Sequence, residues 1–175
     1  MTWRESAVKR CIFCALMLIS GASFAVSNAT FPENLDEMVL VKQSVIPAKD
    51  VVLPESTPTF LQETVKMYNW INHGQGTKIN IFVPENKLSS YGEHGPYDDG
   101  TTAVAIFEDQ DIIFVTEHLA GEALYGTYDR VGNDISHTHP SLHVETCYSC
   151  HIGYKEICRG GTCSTPIIDV FTNKN

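Results

Sequence analysis

A chain of 175 residues is long enough for one domain with a core of its own and too short for two comfortable ones. With 21 carboxylates against 12 lysines and arginines the net charge is −9, which speaks against a nucleic-acid binder, since phosphate contacts need a basic face. Such acidity keeps a protein soluble and would suit a basic redox partner protein.

The first 25 residues read as a secretory signal peptide. Arg4, Lys9 and Arg10 form a basic start, Cys11 to Ile19 an apolar run, and Ser23-Phe24-Ala25 places small residues where cleavage falls. The apolar run is short for a bilayer span, so the expectation is an exported, periplasmic chain with no stable membrane span after cleavage. Loss of three basic residues together with Glu5 would take the charge to −11. Four cysteines would stay: Cys147, Cys150, Cys158 and Cys163.

Residues 26–56 show no sustained period and predict an irregular arm with room for one short strand. At Thr59 the pattern turns helical. Thr59 and Gln62 have capping-box spacing, and Leu61, Val65 and Tyr68 recur on one face, predicting a helix from Thr59 to Ile71 that breaks at Asn72-His73-Gly74. Trp70 is expected to pack in the core. From Lys78 to Val83 the period becomes two, with Ile79, Ile81 and Val83 on one face and Lys78 and Phe82 on the other. Pro84 stops that strand, and Glu85 to Gly95 leaves room for a helical turn. Asp98-Asp99-Gly100 and Asp109 to Asp111 are turn signals around a strand from Thr101 to Phe107. Strands from Ile112 to Glu117 and from Ala123 to Val131 follow. Short strands in succession after one helix predict an α+β fold, mainly antiparallel β-sheet with a packed helix, over residues 57–175. Gly132 to Glu145 reads as a loop whose histidines, His137, His139 and His143, are solvated; His73, His94 and His118 have no partner visible in sequence. Pro166 to Phe171 predicts a last strand.

Cys147-Tyr148-Ser149-Cys150-His151 is a C-x-x-C-H motif, the attachment signature of c-type haem. Each thiol can add to a haem vinyl group, and His151 then ligates the iron from the proximal side. One covalently attached haem c is therefore the expected cofactor, on a C-terminal segment that opens a short helix or turn. The competing use of the same residues is a structural zinc site of Cys147, Cys150, Cys158 and Cys163. Export favours instead a disulfide between Cys158 and Cys163, around a glycine turn. Met38 and Met67 are possible iron ligands whose ordinary role is packing.

In this order the features resemble the cytochrome P-460 family and its relative cytochrome c′-beta. The resemblance covers Trp70 with the following Gly74-Gln75, the strand Lys78 to Val83 ending in Pro84-Glu85, and Tyr97-Asp98-Asp99-Gly100-Thr101 leading into the strand Thr102 to Phe107. The haem motif and a terminal strand complete it. The resemblance implies a small exported monohaem cytochrome on an antiparallel sheet, with an open distal site that binds a small ligand such as nitric oxide. It also implies homodimers. In the cytochromes P-460 a strand lysine is bonded to the haem; counting from the Asp-Gly-Thr turn, Ala105 holds its place here. Hydroxylamine oxidation, the activity of the crosslinked members, is therefore the alternative, and a six-coordinate electron carrier is a second. The resemblance further implies distal roles for Lys78, where members carry an arginine, for Glu122, near an acidic residue, and for Phe82 as a steric cap.

Overall fold

The computed structural model describes residues 28–92 and 95–163. The stretch expected to be a signal peptide, His94 and the strand expected from Pro166 to Phe171 lie outside the described residues. Among the described residues five strands form a single antiparallel meander in chain order: β1 (Val39–Ile46), β2 (Thr77–Val83), β3 (Thr102–Phe107), β4 (Ile113–Leu119) and β5 (Glu122–Tyr128). Among the described residues three α-helices accompany it: α1 (Thr59–Met67) between β1 and β2, the short α2 (Leu88–Gly92) before β3, and α3 (Val144–Gly153) after β5. The α+β class expected from sequence is the class observed.

The short strand allowed for in the arm is eight residues long and pairs along the whole of β2, from Val39 opposite Val83 to Ile46 opposite Thr77. Its connection to β2 needs Gly76, with φ 77°. A Cβ there would lie 2.3 Å from the Ile46 carbonyl oxygen, so only glycine lets the two backbones close up. The helix begins where expected but by another device. Pro58 is the N-cap and makes no side-chain cap bond, while Gln62 Nε2 donates to the Thr57 carbonyl at 2.6 Å. The capping box therefore does not form. The helix also stops at Met67 rather than Ile71. The predicted break is real, with Asn72 and His73 at φ 51° and 54°, but the chain leaves α-geometry already at Tyr68.

Alternation along each strand sorts the side chains onto two faces. One face buries Ile46, Ile79 and Phe107 against Phe60, Leu61 and Val65 of α1 and Leu142. The other buries Val104, Ile113, Val115 and Tyr128 against the N-terminal segment, through Ala29, Phe31, Leu35 and Met38. That segment is fastened by the Ala29 N–H to the Tyr125 carbonyl at 3.0 Å and by the Tyr128 hydroxyl to the Ala29 carbonyl. The sheet is thus covered on both sides, and the helical side holds the chemistry.

Candidate functional site

Helix α3 starts at Val144, one residue after the turn Pro140–Leu142, with His143 as its N-cap. The Thr127 hydroxyl donates to the Leu142 carbonyl at 2.9 Å and anchors this start to β5. Within α3, Cys150 is three residues and His151 four residues beyond Cys147, spacings that put all three on one helical face. Val144 and Cys147 pack against Tyr125 of β5, which turns that face towards the sheet.

All three residues line a cavity of about 180 Å³ between α1, α3 and the sheet. Much of its sheet wall is apolar: Ile79 and Ile81 from β2, Ala103 and Ala105 from β3, Phe114 from β4. The two alanines leave space where larger side chains would close it. A second opening of about 420 Å³ adjoins it at Met67, Thr146 and Cys150 and leads outward past Glu63 and Glu145. Both thiols are unbonded. Burial pushes the Cys147 thiol up to about 11 and raises that of Cys150, so both are protonated at neutral pH.

His151 is held from behind. Its Nδ1 lies 2.5 Å from the Gly161 carbonyl oxygen, which can only accept, so the ring proton is on Nδ1 and Nε2 keeps its lone pair. The Tyr125 hydroxyl donates to the same carbonyl at 2.9 Å, and its ring meets His151 edge-on with centroids 4.8 Å apart. Burial lowers the His151 pKa, against the smaller opposing effect of the carbonyl, which favours a neutral imidazole.

Gly161 belongs to the loop closed by the Cys158–Cys163 disulfide, the pairing expected from sequence. That bond overturns the four-cysteine zinc alternative, because two of its thiolates are used up. Ligand atoms of His151, Cys158 and Cys163 come within 4.8 Å of one another, yet sulfurs bonded to each other offer no thiolate. The donor set fits a c-type haem better. It has two unbonded thiols one helical turn apart and a neighbouring imidazole with one nitrogen tied to a carbonyl, all on an apolar space.

The distal residues expected from the resemblance are elsewhere. Lys78 is 66% exposed and lies 3.9 Å from Glu108. Phe82 packs with Met38 and Val104 in the other core, and Glu122 is exposed at the start of β5. The reason is strand phase: Ile79 and Ile81 point into the cavity, so Lys78 and Phe82 must point to the opposite face. Polar groups that do line the cavity include Thr116 and Tyr68, on elements the sequence predicts, and Lys42 and Ser44 of β1 and Tyr91, on stretches it marks only weakly. The Lys42-x-Ser44 alternation inside a run of valines was their sequence signal. Ala105, the position matched to the crosslinking lysine, does line the cavity. Among the described residues no carboxylate lines it.

Met67 lines the cavity, whereas Met38 belongs to the other core. His137 and His143 are exposed. Trp70 packs against the core as expected; His139, expected to be solvated, stacks on it with centroids 4.0 Å apart, and Trp70 Nε1 donates to Ser141 Oγ at 2.8 Å, which ties the loop to the core. His118 has partners after all: it is buried under Tyr97, stacked at 4.4 Å, with its Nε2 3.3 Å from Thr162 Oγ1.

Among the described residues no helix is long and apolar enough to cross a membrane. Comparison of the chain with protein-family models, with curated proteins and with solved structures returns no match.

Proposed function

We propose that this chain is an exported c-type cytochrome of the cytochrome P-460 and c′-beta kind that binds a small ligand such as nitric oxide at its haem iron. The observation that carries the reading is the convergence of Cys147, Cys150 and His151 on one cavity, with His151 Nδ1 bonded to the Gly161 carbonyl. Cys147 and Cys150 would hold the haem through thioethers, and His151 Nε2 would be the axial ligand. Bound there, the haem supplies an iron whose partners are chosen by the polarity and access of its pocket. The chain's own part is to exclude water with Ile79, Ile81 and Phe114, and to keep space open at Ala103 and Ala105.

Ligand binding is preferred to hydroxylamine oxidation on two observations. The described lining has no carboxylate to take the protons such an oxidation releases, and position 105 has no lysine to bond to the haem. The electron-carrier reading rests on Met67, a thioether in the same cavity.

The experiment is an optical spectrum of the reduced protein, produced with export and haem-maturation machinery, before and after nitric oxide. A broad high-spin spectrum that changes with the gas is the expected result. A sharp low-spin spectrum unmoved by the gas, lost in Met67→Ala, would establish the electron carrier instead. A colourless protein would end the haem reading.

A further inference from the structure

The disulfide loop is built around one backbone oxygen. Gly161 is buried, has φ 79°, and a Cβ on it would lie 2.4 Å from the Ala123 Cβ and 2.7 Å from the Tyr125 hydroxyl. Glycine alone can stand there, and the result is a carbonyl pressed against β5 that accepts from both His151 Nδ1 at 2.5 Å and Tyr125 Oη at 2.9 Å. The loop is clamped on its other side as well. Gly160 sits under the Tyr97 ring, where a Cβ would approach Cδ2 to 3.0 Å, and Thr162 Oγ1 meets His118 Nε2 at 3.3 Å. Cys158–Cys163 closes its ends.

We infer that Tyr125 is a positioning residue for His151 and acts through the Gly161 carbonyl that the two side chains share. A carbonyl oxygen has two lone pairs, so both donors can be served at once. They are not independent. Electron density drawn towards the Tyr125 hydroxyl is withdrawn from the bond to His151 Nδ1, and the strength of that bond sets how basic Nε2 is. Tyr125 thereby restrains the donor strength of His151, and its ring, edge-on at 4.8 Å, limits how the imidazole can turn. The consequence for an iron on Nε2 rests on the haem reading; the consequence for the imidazole tautomer does not.

The two consequences are tested separately with Tyr125→Phe, which keeps the ring and removes the hydroxyl. In haem-free protein, long-range proton–nitrogen correlation spectra report which His151 nitrogen bears the proton. The expected result is the Nδ1–H tautomer in the parent protein, with a changed Nδ1 resonance in Tyr125→Phe and the exposed His137 and His143 unmoved. An Nε2–H tautomer in the parent, or an unchanged Nδ1 resonance in the variant, would overturn the inference. Should the variant fold poorly, Cys158→Ser with Cys163→Ser releases the same carbonyl from the other side. His151 should then drift towards a mixture of tautomers, and an unaltered Nδ1–H population would count against the loop as its holder. In haem-loaded protein, Tyr125→Phe should shift the midpoint potential negative and raise the iron–histidine stretching frequency, because an unshared carbonyl makes Nε2 a stronger donor. Parent-like values of both would overturn it. A colourless protein with the tautomer result intact would sink the haem reading and leave this inference standing.

Discussion

Cys147 and Cys150 are interchangeable in a sequence motif but not in the fold, since Cys147 is buried and Cys150 stands at the opening between α1 and α3. Either alone still allows one thioether. We therefore expect Cys147→Ala and Cys150→Ala each to retain covalent haem on a denaturing gel stained for haem, and the double variant to lose it entirely. Retention in the double variant would refute attachment at this motif. His118 supports a pH prediction. Burial lowers its pKa below the ordinary 6.5, against the opposing pull of Asp99 and Glu117. The unfolded chain therefore takes up this proton more readily than the folded one, so the stability it contributes is present above that pH and declines as pH falls below it. His151 is lowered in the same direction and adds to the slope in haem-free protein, so the informative comparison is His118→Phe. That variant keeps a ring under Tyr97, and its denaturant midpoint should fall less steeply between neutral and mildly acid pH. An unchanged slope would remove His118 as the cause.

At the scale of elements, the period-two pattern of β2 and β3 was readable, and it decides which side chains can reach the site. Ala105 faces the cavity opposite Phe114, whereas Lys78 faces away from it. Ala105→Phe should accordingly empty the site by filling it, at a packing cost of about 1–3 kcal/mol. Haem content per chain, read from absorbance, should collapse. Lys78→Ala removes an exposed ion pair worth about 0–1 kcal/mol and should leave haem content and nitric oxide uptake unchanged. A loss of ligand uptake in Lys78→Ala would return that residue to the site. β1 was only half visible, because its valines carry the strand propensity while Lys42 and Ser44 interrupt the apolar pattern. Those two positions line the cavity rather than face solvent outright, a distinction local sequence does not record.

For the molecule as a whole, the helical face of the sheet is closed beside β5 by a loop of six residues, Cys158 to Cys163. Opening a loop of that length should cost about 2 kcal/mol by loop-closure entropy. We expect Cys158→Ser with Cys163→Ser to lower the denaturant-unfolding free energy by about that amount while the far-ultraviolet circular dichroism is kept. A variant as stable as the parent would show the clamps at Tyr97, His118 and Tyr125 to be sufficient without the covalent bond.

By itself the sequence determined what depends on neighbours along the chain: the C-x-x-C-H spacing, the helix from Thr59, the strand periods, the stop at Pro84 and the glycine turn between Cys158 and Cys163. These follow from backbone geometry within a turn of helix or a few strand residues. Only the tertiary structure decided which sheet face meets α3, because strand phase says that Ile79 and Lys78 part company but not which side the helix covers. For the same reason the sequence places Lys78, Phe82 and Glu122 at the site wrongly, assigns no role to Lys42 and Ser44, and leaves Met67, which lines the cavity, undistinguished from Met38, which does not. The Gly161 carbonyl lay deepest out of reach. Its partners stand 10 and 36 residues away along the chain, and a backbone oxygen leaves no mark in the sequence except the glycine that makes room for it.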